Sequence, residues 1–157
     1  MASTKSRARR AGVQVTGADN LSKLAARLRP LTQQKVIIGV QGDAELALIA
    51  GVHEYGSVKM SIPARSFVLT GRKKGQVPIG KLVRAGVAEI ARGRRRIGDM
   101  LDEVGRVGLD KMQQNFDRIN DPPLSARYAR SKIGRRLLQR EQDLRDSLTY
   151  DVVPRSR

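Results

Sequence analysis

A chain of 157 residues with 39% apolar residues, 3% aromatics and no tryptophan has room for one modest core built on Leu, Ile, Val and Ala. Zero cysteines and a single histidine exclude a disulfide framework and a Cys- or His-rich metal site. The net charge of +16, from 31 Lys+Arg against 15 Asp+Glu, points to an anionic partner, either nucleic acid or an acidic protein surface.

Residues 1–12 carry Lys5, Arg7, Arg9 and Arg10 with no large apolar residue except Met1, and read as a flexible basic arm. A single α+β domain is expected over residues 13–157. Val13-Gln14-Val15 reads as a short strand, and Thr16 to Asn20 as a turn with Asp19 or Asn20 as the cap of a helix. Leu21, Leu24, Ala25 and Leu28 give that helix its i, i+3, i+4, i+7 spacing, and Pro30 stops it. Lys35 to Val40, dense in β-branched residues and closed by Gly42, predicts a strand.

Asp43 is positioned to cap a helix from Ala44 to His53 or Tyr55. Leu46, Ala47, Ile49, Ala50 and Val52 lie nearly all round it, so burial on more than one side is expected. Residues 57–66 read as a loop or extended hairpin arm, and Phe67-Val68-Leu69 as a returning strand. Gly71 to Gly75, with Arg72, Lys73 and Lys74 between, reads as a basic turn, and Pro78 as the first turn of the next helix.

Ile79, Leu82, Val83, Val87 and Ile90 carry that helix to a break at Gly93-Arg94-Arg95-Arg96. A second part follows, with a stripe of Ile97, Met100, Leu101, Val104, Gly108, Met112, Phe116 and Ile119. Asp121-Pro122-Pro123 ends it, and Ser147 to Val153 alternates as a closing strand. The expected fold is α+β: a small mixed or antiparallel sheet packed by helices, including a long two-part helix. Fifteen glycines and few large anchors predict a subunit that leans on its neighbours.

Little in this order suggests catalysis. His53-Glu54 is the one His–carboxylate pair, but neighbours on a helix point about 100° apart and do not serve one substrate; a helix C-terminus is the expected setting for His53. Asp99, Asp102 and Glu103 follow the Arg94–Arg96 run and predict pairs between Arg96 or Arg106 and Asp102 or Glu103 rather than a metal site. No phosphate-cradling glycine loop occurs, and no cofactor is expected. No apolar run approaches the roughly 20 residues of a membrane span, and the N-terminus lacks the apolar stretch of a secretory signal, so a soluble, non-secreted chain is expected.

The basic clusters Lys5–Arg10, Arg72–Lys74, Arg92–Arg96 and Arg127–Arg140 lack interleaved aromatics for base stacking. Any nucleic-acid contact is expected to be with phosphates and independent of sequence. The candidate anion contacts are Lys5, Arg7, Arg9, Arg10, Arg72, Lys73, Lys74, Arg94, Arg95 and Arg96.

Four ordered motifs, Val36-Ile37-Ile38-Gly39-Val40, Gly42-Asp43-Ala44-Glu45-Leu46-Ala47, His53-Glu54-Tyr55-Gly56 and Ile62-Pro63-Ala64-Arg65-Ser66-Phe67, resemble the small tail-component family of tailed phages. Pro122-Pro123-Leu124-Ser125 and Leu144-Arg145-Asp146-Ser147-Leu148-Thr149-Tyr150 extend the resemblance, which covers about residues 33–153. The chain departs from that family where Arg140-Glu141-Gln142 replaces an Asp-Thr-Gly turn and where Ser66 stands for a common proline.

The resemblance implies a non-enzymatic virion protein of the phage neck or tail, assembled in the host cytoplasm as a six-fold homo-oligomeric ring. The implied partners are a head-side connector or stopper protein, the tail tube protein and double-stranded DNA in the lumen, with no membrane. On this reading His53, Glu54, Tyr55, Gly56, Ile62, Pro63, Arg65, Phe67, Leu144 and Tyr150 form the subunit or partner interface. The arm at 57–68 would reach a neighbour through Ile62, Pro63 and Phe67, with Arg65 as ion-pair donor. The alternative is a sequence-independent nucleic-acid-binding protein, and a hydrolase built on His53-Glu54 stands third.

Overall fold

The computed structural model describes residues 18–41, 44–131 and 143–156. Along the chain come α1 (Ala18–Leu28), a 3-10 turn (Arg29–Thr32), β1 (Gln34–Val40), α2 (Ala44–Tyr55), α3 (Val68–Ala91) and α4 (Ile97–Arg118). Two short helices, α5 (Ala126–Ser131) and the single turn α6 (Asp143–Asp146), lead to β2 (Leu148–Pro154). β1 and β2 pair antiparallel, from Gln34 opposite Pro154 to Val40 opposite Leu148. The fold is α+β, with helices packed against this sheet.

The centre is α4, the helix with the clearest apolar stripe in the sequence. It buries Met100, Leu101, Val104, Met112 and Phe116 and lies against both strands as well as α3. Gly105 and Gly108 lie on this helix where the sheet comes closest. A Cβ at Gly105 would collide with the Tyr150 ring at its Cδ2, and one at Gly108 with the Ile38 Cδ1. Gly105→Ala is therefore expected to lower stability by about 1–3 kcal/mol through overpacking, measured by urea unfolding. An unchanged midpoint would show that the sheet slides freely on α4.

Several expected elements differ from those observed. Phe67-Val68-Leu69 is no strand, Gly71–Gly75 no turn, and Pro78 no helix start: all of Val68–Ala91 is one 24-residue helix with Pro78 inside it. Packing explains the difference. Gly71 lies against α4, where a Cβ would sit 3.1 Å from the Met112 Cα, and Gly75 lies against Lys111. The two glycines, one turn apart, let the helices approach each other. α3 and α4 run antiparallel, Gly71 meeting Met112 and Gly86 meeting Met100.

The break at 92–96 is as expected. Arg94 N–H donates to Glu89 C=O and Gly93 N–H to Ile90 C=O, with Gly93 at φ +74°, a Schellman ending that returns the chain as α4. The start of α1 also differs: the helix begins at Ala18 and includes Asp19 and Asn20 rather than being capped by them. The Val13–Val15 strand, the Asp43 cap, the arm at 1–12 and residues 132–142 lie outside the described residues.

Candidate docking surface

The expected docking segment splits into an internal half and an external half. Internally, Glu54 is buried at the end of α2, beside the start of α3. Its Oε2 accepts from Val68 N–H at 2.9 Å, and its Oε1 from Leu69 N–H at 3.0 Å and Ser66 Oγ at 2.6 Å. It thus satisfies two of the four amide donors that a helix start leaves unpaired, and places a carboxylate at the positive end of the helix dipole. The His53 carbonyl accepts from Arg65 N–H at 2.7 Å.

Arg65, 5% exposed, donates from Nε to the Pro122 carbonyl at 2.9 Å and from Nη2 to the Pro123 carbonyl at 3.1 Å. Its head is therefore engaged by its own chain rather than extended as an ion-pair donor to a neighbour. Phe67 is fully buried and meets Phe116 edge to face, with centroids 5.2 Å apart. As drawn for the arm, both roles need correction: these side chains hold α2, α3 and the 122–123 loop together. Leu144 is likewise buried in that core, and Tyr150 is half-buried on α4 with its hydroxyl donating to Asp102 Oδ1 at 2.6 Å.

A residue the sequence reading passed over completes this junction. Asn115 is buried on α4; its Nδ2 donates to the Phe67 carbonyl at 2.9 Å and to Thr70 Oγ1 at 2.6 Å, and its Oδ1 accepts from Lys74 Nζ at 2.6 Å. The signal was a lone amide beside Met112 and Phe116 on an otherwise apolar stripe. Arg145 adds a two-pronged bond to Asp117, tying α6 to the end of α4.

Externally, the surface is apolar. α2 buries Ala50 and Glu54 but is not buried on more than one side as expected. Leu48 and Tyr55, 68% and 79% exposed, turn outward together with Ile49, 38% exposed, while Val52 is half-buried. The chain then turns at Gly56, φ +77°, where a Cβ would meet Ala64 N and Ile62 O at 2.9 Å. The arm is smaller than an extended hairpin: one bridge pairs Ser57 with Ile62, and the turn between exposes Val58 fully and Met60 by 64%. Ile62 is half-buried and Pro63 exposed.

The cations divide in the same way. Arg72, Lys73 and Lys74 ride on α3, Lys74 engaged by Asn115. Arg94, 4.0 Å from the Glu89 carboxylate, and Arg96 are exposed, whereas Arg95 pairs with Glu103, and Arg106 with Asp102. Arg95, not Arg96, is thus the partner taken from the arginine run. The Tyr150 hydroxyl, and then Arg106, hold the Asp102 carboxyl below its ordinary value. A lowered carboxyl stabilises the fold above its unfolded value, and that contribution is lost as pH falls through the folded value. In Tyr150→Phe, the Asp102 carboxyl is expected to titrate closer to the ordinary aspartate value, read by carbon NMR. The variant should also lose less stability than the parent over that acid range.

Among the described residues no helix is long and apolar enough to cross a membrane, and no cluster of three or more His, Cys, Asp or Glu side chains is placed to hold a metal. Compared with known protein families, curated proteins and solved structures, the chain matches none.

Proposed function

We propose that this chain is a structural subunit of a tailed-phage virion, a ring-forming protein of the neck or tail that joins the head-side connector to the tail tube by subunit packing. The observation that supports this is the exposed apolar set Leu48, Ile49 and Tyr55 on α2, continued along the chain by Val58 and Met60. A strongly apolar helix that buries only one side is suited to cover by another protein surface. The resemblance of the flanking motifs to small phage tail components supplies the kind of assembly. The docking anchors in this reading are the exposed apolar residues of α2 and the turn, with Tyr55, Ile62 and Pro63 kept from the expected set. Arg65 and Phe67 instead hold that surface in shape.

The test is light scattering with negative-stain imaging, alone and with the tail tube protein, for the parent and for Leu48→Glu. The parent is expected to form six-fold rings alone or on the tube. Leu48→Glu should keep its unfolding free energy within about 0.5 kcal/mol of the parent's, as exposed substitutions do. It should lose assembly by roughly thirtyfold or more, the effect of about 2 kcal/mol at an anchor. Rings unaffected by Leu48→Glu would overturn the assignment of the surface.

The exposed cations Arg72, Lys73, Arg94 and Arg96 favour a second reading, a sequence-independent nucleic-acid binder. A monomer that ignores the tube yet holds duplex DNA, with affinity falling by orders of magnitude between low and physiological salt, would establish that reading instead.

A further inference from the structure

The outer edge of β1 is open. Gln41 N–H donates to Ser147 C=O at 3.0 Å and Arg155 N–H to Gln33 C=O at 2.8 Å, which extends the β1–β2 register by one residue at each end. Bonded and non-bonded positions alternate in an antiparallel pair, so the odd-numbered residues of β1 exchange bonds with β2. Gln34, Val36, Ile38 and Val40 turn their N–H and C=O to the other edge, where no further strand pairs among the described residues. That edge lacks the usual devices against a visiting strand: β1 is seven residues long, holds no proline and bears one charge, Lys35.

The edge borders a groove of about 880 Å³ between β1 and α3. Val36 and Ile38 line one side, and Leu69, Ile79 and Val83 the other. Arg72, Lys73 and Arg84 also line it; all three are exposed, and no carboxylate lines the groove with them. Apolar walls beside an unpaired strand edge suit strand addition, in which main-chain bonds supply affinity and the flanking side chains choose the sequence.

We propose that this groove binds an extended acidic segment of a partner protein, which adds to β1 as a third strand. Charge selects this occupant. A second copy of the chain brings a net charge of +16 towards three cations, and its own β1 edge offers Lys35 and no carboxylate. A nucleic-acid duplex satisfies the cations but gives the groove no apolar side chains and the β1 backbone no ladder. An acidic strand supplies all three.

The placement of the cations sets the pattern recognised. Val68 packs in one cluster with Val40, and Leu82 in the other with Val36, so α3 runs along β1 and its cations stand towards the two ends of the strand. Lys73 and Arg84 are eleven positions apart on α3, a distance of about 17 Å at the helical rise. An extended chain covers that length in about five residues. The segment therefore carries a carboxylate near each end of the groove and β-branched side chains on alternate residues between them. This inference is independent of the assembly proposed for α2, no residue of which lines the groove.

The probe is the end-blocked hexapeptide Glu-Val-Thr-Val-Thr-Glu, set against Lys-Val-Thr-Val-Thr-Lys, each added to the full-length chain. At saturation the acidic peptide is expected to slow hydrogen exchange at the Val36, Ile38 and Val40 amides by roughly tenfold or more. Ile37 and Gly39, already bonded to β2, should not change and report that the sheet is intact. The acidic peptide is expected to bind roughly tenfold or more tighter than the basic one. Arg72→Glu/Lys73→Glu/Arg84→Glu, three exposed substitutions, should reverse that preference while Ile37 and Gly39 stay protected.

Exchange at Val36, Ile38 and Val40 left untouched by millimolar acidic peptide, or equal binding of the two peptides, would overturn the proposal. So would protection of those amides in the free chain, which would mean that the protein itself fills the groove. Duplex DNA held at Arg72, Lys73 and Arg84 in preference to the acidic peptide would assign the cations to nucleic acid and overturn it equally.

Discussion

Phe67→Ala is expected to cost about 3–5 kcal/mol, lowering the melting temperature by roughly 6–20 °C. The side chain is wholly buried and packs with Ala50, Met112, Phe116, Leu144 and Leu148, the cluster joining α2, α3, α4 and β2. Its ring stands at 87° to that of Phe116, an aromatic contact worth about 0.5–1.5 kcal/mol beyond area alone. The backbone at this point is equally committed, because the Phe67 carbonyl accepts from Gly71 N–H and from Asn115. Urea unfolding measures the loss, with Phe67→Leu as the smaller truncation. A docking anchor would behave oppositely: stability near the parent's and assembly abolished. That pattern would refute the internal role assigned to Phe67.

Glu54→Ala is expected to cost about 3 kcal/mol through a different term. α3 begins with Phe67 at its cap position and no side-chain cap of its own. Glu54 reaches across from α2 to supply one, and it is 7% exposed. Truncation leaves Val68 N–H, Leu69 N–H and Ser66 Oγ without their acceptor in a place water scarcely reaches, where each buried unsatisfied group costs about 1–3 kcal/mol. Glu54→Gln keeps the shape but sets an amide donor among donors, so an intermediate loss of about 1–2 kcal/mol is expected. The m-value should stay constant while the midpoint falls. An unfolding free energy within about 0.5 kcal/mol of the parent's for Glu54→Ala would show that α3 does not depend on this cap.

These two residues also show how far the sequence could be read. His53-Glu54 looked like a weak acid–base pair and Phe67 like a projecting anchor, because adjacency along the chain was the one neighbourhood visible. Their real partners, Val68 and Leu69 for Glu54 and Phe116 for Phe67, lie 14, 15 and 49 positions away. No periodicity connects them.

What the sequence determined by itself was whatever local geometry repeats. β1 is a run of β-branched residues, α4 carries its stripe at helical spacing, the Gly93 break follows from a positive φ, and the closing strand alternates at period two. The α+β class follows from these. The tertiary structure alone decided the nature of residues 67–78. Two glycines, a proline and three cations carry every local mark of a turn, but close contact with α4 and the Glu54 cap outweigh a helix propensity deficit of about 1 kcal/mol per glycine. It alone decided, too, which face of α2 is outward. With apolar residues nearly all round, the helix has no sidedness of its own, so burial of Ala50 and Glu54 leaves Leu48, Ile49 and Tyr55 exposed.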